Sequence, residues 1–134
     1  MKPIFYYFRD EKDRPVVTIC LQPFEHEAET LYARGLAIAS DLEFKHQTFS
    51  KKRGRQIAYG RANKAILKHI NEYSIDNYHG CIAPISRTRT LMRLNELRLN
   101  RQNELFTKRA LFYKGFVLWK EELNEIEKGL LDDR

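Results

Sequence analysis

The chain has 134 residues, 43% hydrophobic and 31% charged, which is the make-up of a folded domain and excludes a disordered segment. Net charge is +6, and no apolar run approaches the roughly 18 residues of a membrane span. Cys20 and Cys81 stand far apart without zinc-ribbon spacing and no secretory leader is visible, so the reading is one domain, cytoplasmic, with two reduced thiols.

The charge is unevenly spread. Residues 51–70 hold seven Lys and Arg and no acid, and residues 85–120 hold nine bases against two acids. Residues 121–134 reverse this, with two bases and six acids. Two basic blocks between acidic ends point to a polyanion; the plain alternative is a solvated helix face.

Residues 4–9 (IFYYFR) are β-branched and aromatic and predict a strand. A polar turn over 10–13 leads to a second strand over 14–21, forming a hairpin. Residues 22–30 are acidic and predict a loop or a longer turn. Residues 31–40 predict a third strand, with Tyr32, Arg34, Leu36, Ile38 and Ser40 on one face. Its other face is small (Leu31, Ala33, Gly35, Ala37, Ala39) and leaves room for a helix to lie close.

That helix comes next. After a connection over 41–49, Ser50 or Thr48 serves as N-cap, and residues 50–71 are amphipathic. Ala58, Ala62, Ala65, Ile66, His69, Ile70 and Tyr73 share one face; Arg53, Arg61, Lys64 and Lys68 share the other, with Ile57 and Gly60 between them. The alanines predict packing on the small face of the third strand. The first turn breaks a rule: Lys51, Lys52, Arg53 and Arg55 crowd the end where the helix dipole favours acids, at a cost of about 0.3–1 kcal/mol each. Such an end is suited to an anion, and phosphate is the natural one. Gly54 and Gly60 allow a backbone to come close.

After a break over 73–83, with Ser86 as the next N-cap, a 3-and-4 spacing runs from Leu91 to Leu130. It predicts one long helix over 86–131 or a helical hairpin bent at Gly115, packed in the manner of a coiled coil. Phe112, Phe116, Trp119, Leu123 and Ile126 form its apolar half and are the candidate partner or homodimer interface.

Other constellations are weaker. Glu25, His26, Glu27 and Glu29 lack a metal-ligand spacing and read as a solvated loop; His79 and Cys81 are no better. Asp41 with Glu43 could suit a metal nuclease, which needs a further carboxylate or a lysine nearby, and Glu43-Phe44-Lys45 has E-x-K spacing; the plainer alternative is a loop carboxylate. No nucleophile, phosphate-loop or dinucleotide motif is present. The aromatics of the first strands, Phe5 to Phe8 with Tyr32, read as core rather than as a base-stacking platform.

Two resemblances attach to these residues. The order strand–strand–strand–helix, with Ser50, Lys51, Lys52, Gly54, Arg55, Ala58 and Ala62, resembles the second half of a double-stranded-RNA-binding domain. That likeness covers about 30 residues, lacks the family's first helix, and implies that Lys51, Lys52 and Arg55 reach phosphates across a groove. The run ARGLAIAS followed by KKRGRQIAYGRANKAI resembles small bacteriophage- and prophage-encoded proteins. It implies a phage accessory protein working in the host cytoplasm.

The expectation is an α+β fold: an N-terminal three-stranded antiparallel sheet with a packed basic helix (1–83), then a helical extension (84–134) in the same compact unit. The expected function is non-enzymatic binding of DNA, RNA or a host nucleoprotein complex, with no cofactor, metal or membrane. Lys51, Lys52, Arg53, Arg55, Arg61, Lys64 and Lys68 carry it, extended by Arg87, Arg89, Arg93 and Arg101. The alternative is a protein–protein inhibitor of a host nucleic-acid-processing or defence enzyme, of the anti-CRISPR type.

Overall fold

The structure, a computed structural model, describes residues 1–71, 82–84, 99 and 113–133. Strands β1 (Ile4–Arg9), β2 (Pro15–His26) and β3 (Glu29–Ile38) follow one another as antiparallel neighbours. Two helices come next, α1 (Asp41–His46) and α2 (Lys51–Asn71). Then come β4 (Ile82–Pro84), β5 (Tyr113–Leu118), a 3₁₀ turn (Lys120–Glu122) and α3 (Glu125–Asp132). The sheet runs β1-β2-β3-β5-β4, antiparallel throughout. The α+β architecture read from the sequence is therefore the observed one, with its N-terminal sheet and basic helix.

Two sequence expectations are corrected. Residues 22–30 are not a loop: β2 runs to His26 and β3 begins at Glu29, so the hairpin is longer. Its two turn residues, Glu27 and Ala28, sit at φ 52° and 66°, the pair of left-handed residues of a type I′ turn. That turn normally announces itself with Asn-Gly or Asp-Gly, and here neither is present.

The second correction concerns the ladder. Residues 113–118 are a strand, not helix, and β5 slots between β3 and β4 with Gly115 opposite Gly35. The spacing i, i+4 is even, so it keeps side chains on one face of a strand as well as of a helix. Phe112 to Phe116 therefore could not distinguish the two. The described helical parts of the C-terminus are the 3₁₀ turn and α3. The rest of the expected helix, residues 86–112, lies outside the described residues, apart from Leu99.

The sheet buries both faces. On one, α2 crosses β3 so closely that a Cβ on Gly35 would stand 1.9 Å from the Ala58 carbonyl oxygen. Ala33 and Ala37 meet Ala58, Ala62 and Ala65, all buried, with Cys20, Leu31 and Val117 completing the layer. The predicted match of small faces is what sets this contact. Ile57, expected among the cations, packs here too, while Ile70 is exposed. Burial pushes the Cys20 thiol up to about 12, so it stays protonated and unreactive.

The other face holds Tyr6, Phe8, Val17, Ile19 and Leu36 in one cluster and Leu21, Tyr32, Phe116, Leu118 and Leu123 in another. Ile126, Leu130 and Leu131 of α3 lean on them. Within this apolar layer lies an ion pair. Arg34 donates from Nε to Glu127 Oε2 at 2.9 Å and from Nη2 to Oε1 at 2.5 Å. Tyr6 donates its hydroxyl to Glu127 Oε2 at 3.0 Å and accepts from Asn124 Nδ2 at 3.1 Å. Asn124 is also the N-cap of α3, bonded reciprocally with Glu127. One carboxylate thus caps its helix and anchors it to β1 and β3. Burial and the neighbouring Glu127 charge hold the Tyr6 hydroxyl far above its usual range, so it remains a donor.

Candidate nucleic-acid interface

The site is built on α2, whose 21 residues span about 31 Å. Ser50 is the N-cap: its hydroxyl accepts from the Arg53 backbone N–H at 3.2 Å. Gly54 lets the first turns sit down on the sheet, since a Cβ there would meet Thr18 Oγ1 at 2.4 Å. At the far end, His69 packs edge-on against His26 and Phe24, with ring centroids 5.3 and 6.1 Å apart. The helix is thereby held at both ends and along its alanine face.

The seven cations of α2 divide into two sets. Three are tied to the protein's own groups. Lys51 Nζ lies 5.1 Å from the centre of the Tyr7 ring, and Arg55 donates to the Tyr7 hydroxyl at 2.9 Å. Arg61 donates to the Leu36 carbonyl at 2.6 Å, and its partial burial lowers its pKa. The others face outward: Lys52, Arg53 and Lys64 are exposed and Lys68 half-buried. Among the described residues no carboxylate pairs with any of the seven. The first turn has no acidic residue, so its dipole meets only positive side chains.

This division departs from the double-stranded-RNA-binding likeness, which sends Lys51, Lys52 and Arg55 together to phosphates. Here Lys51 and Arg55 converge on Tyr7, and Lys52 stands apart from them. Arg87, Arg89, Arg93 and Arg101 lie outside the described residues, as does Phe112.

Much of the expected partner interface is buried within the chain itself. Phe116 and Leu123 are core residues, and Ile126 packs against the core. Among the four that the structure describes, Trp119 is the most open, half exposed at the surface. The physical reason is that β5 needs an apolar face toward α3, and these residues supply it.

Charge alone does not single out Gln56, Gly60, Asn63 and Leu67. Their spacing i, i+4, i+7, i+11 does, because it draws a line along the helix opposite the alanines. Gln56 and Gly60 are exposed, Asn63 is half-buried and Leu67 is 59% exposed. Tyr59 and Ile70, also exposed, lie beside this line.

The other candidates are occupied by structure. Glu43 accepts from the Ser40 backbone N–H at 2.7 Å while Ser40 caps α1, so Glu43 belongs to a capping box. Glu25 accepts from the Thr30 hydroxyl across the hairpin. Among the described residues no group of three His, Cys, Asp or Glu is placed to hold a metal, and no described helix is long and apolar enough to cross a membrane. Comparison with protein-family models, with curated proteins and with solved structures returns no match.

Proposed function

We propose that this protein binds a polyanion, nucleic acid above all, through the outer face of α2. One observation carries the reading. Lys52, Arg53 and Lys64 are exposed, have no acidic partner among the described residues, and sit on a helix whose dipole makes its first turn more positive still. Their mutual repulsion costs stability, and a phosphate backbone relieves it. The phage likeness fits a small accessory protein of this kind.

Titration with duplex and single-stranded DNA and RNA at two salt concentrations tests it. Binding at low salt is expected, weakening linearly with log salt. Replacing Lys52, Arg53 and Lys64 together by Ala is expected to lower that slope by about 2–3, roughly one for each phosphate that is no longer neutralised. Absence of binding to every nucleic acid at low salt overturns the proposal.

A second reading is favoured by the exposed Tyr59, Leu67 and Ile70 beside the cations. An apolar strip next to a basic one also fits a protein partner, such as a host nucleic-acid-processing or defence enzyme that the chain would inhibit. That reading predicts a stoichiometric protein complex that survives moderate salt.

A further inference from the structure

Three glycines of β3 and α2 have different explanations. Gly35 and Gly54 are required by the fold, since a Cβ on either would strike Ala58 or Thr18. Gly60 has no such reason. It lies mid-helix, exposed, with nothing within 4 Å of where its Cβ would be. Alanine there would be accommodated by the fold and would favour the helix. Gly129 is equally open, but it sits in the last turn of an acidic helix. Gly60 sits midway along the basic one.

The residues around Gly60 are arranged in three strips. Along the crest run Gln56, Gly60, Asn63 and Leu67, none of them charged. At about 100° per residue, Lys52 lies down one flank, and Arg53 and Lys64 down the other. Among the described residues neither Gln56 nor Asn63 makes a side-chain hydrogen bond. A helix that only tracked phosphates would carry its cations on the crest. Here a neutral crest with two free amides is straddled by positive charge.

Resting on the polyanion reading above, we infer that α2 enters the major groove of duplex DNA crest-first. Gln56 and Asn63 then face base edges, Gly60 admits the floor of the groove, and the flanking cations meet the two phosphate walls. The dimensions agree: a major groove about 12 Å wide admits a helix about 10–12 Å across. Asn and Gln are the side chains that pair bidentately with adenine, and an exposed leucine suits a thymine methyl. The major groove of duplex RNA is too deep and narrow for this approach. The inference therefore selects DNA over the RNA that the double-stranded-RNA-binding likeness implies.

The test uses the full chain and fluorescence anisotropy with short DNA duplexes, RNA duplexes of the same sequence, and the single DNA strand, at matched salt. Duplex DNA is expected to bind roughly tenfold or more tighter than duplex RNA. Gly60→Leu is the decisive variant, because it is expected to raise the melting temperature while weakening duplex-DNA binding roughly tenfold or more. Gln56→Ala with Asn63→Ala is expected to flatten the preference in a selection from random DNA duplexes and to leave the salt slope unchanged. Equal affinity for duplex DNA and RNA, or a Gly60→Leu protein that binds DNA as the parent does, overturns groove entry and leaves the polyanion reading standing. No binding to any of the three probes removes both.

Discussion

At the scale of single residues, the structure is held at points where one charged side chain serves several neighbours. Asp10 is one. Its carboxylate accepts from the backbone N–H groups of Lys12 and Arg14, both at 3.0 Å, and from Arg14 Nε at 2.8 Å. Arg14 in turn lies over the rings of Phe44 and Phe49, at 5.4 and 4.9 Å, and donates to Gln47. The β1–β2 turn is thereby fastened to α1. Burial alone would raise the Asp10 pKa, but the Arg14 hydrogen bonds and charge outweigh it and hold the carboxyl below its ordinary 3.8. A carboxyl depressed in the folded state stabilises it fully above the unfolded value. That stabilisation is lost as pH falls through the folded value. Asp10→Asn is therefore expected to cost about 1.5–3 kcal/mol near neutrality. The difference from the parent should shrink as pH drops below 3.8. Melting temperatures of the two proteins across pH 2–7 check this; a gap that stays constant to the acid end contradicts it.

At the scale of elements, the question is which segments can show themselves in a sequence. The α2–β3 contact could: Ala58, Ala62 and Ala65 repeat at helical spacing, Ala33, Gly35 and Ala37 at strand spacing, and both sets are buried together. The cations of α2 were visible as a block, but their division was not. Nothing local tells Lys51 or Arg55 that Tyr7, more than 40 residues earlier, is their partner. Strand β5 was hidden by an apolar spacing that both periods share. The β2–β3 hairpin was hidden by its turn, where Glu27 and Ala28 stand in the left-handed region without glycine or asparagine. A left-handed alanine costs roughly 1–2 kcal/mol, a strain glycine does not bear. Ala28→Gly is expected to stabilise the protein by about 1 kcal/mol, less whatever the freer unfolded chain takes back. Urea denaturation measures it, and a destabilised Ala28→Gly protein would show that Ala28 is not strained.

At the scale of the molecule, the chain closes on itself. Strand β5 lies beside β3, and α3 covers the face of the sheet opposite α2, so the last residues finish a core begun by the first. The link is polar: Glu127 is completely buried and binds Arg34 and Tyr6 while capping its own helix. Burial opposes the charge on Arg34, and Glu127 more than restores it, so the guanidinium stays charged within the layer. A buried ion pair gives little net stability over apolar residues of the same size, yet losing one partner strands the other. Glu127→Ala leaves the Arg34 guanidinium and the Tyr6 hydroxyl without their acceptor and is expected to cost about 3–5 kcal/mol. Arg34→Met combined with Glu127→Met removes both charges and is expected to recover most of that loss. Because both faces of one sheet are involved, the loss should appear as a single cooperative transition in which far-ultraviolet circular dichroism and Trp119 fluorescence coincide. Two separate transitions, with the Trp119 signal lost first, would mean that the C-terminal segment docks on a sheet that stands without it. In a single unit, damage on the α3 face reaches α2 through the sheet. The nucleic-acid binding proposed for α2 should then weaken in Glu127→Ala only where the whole fold is lost.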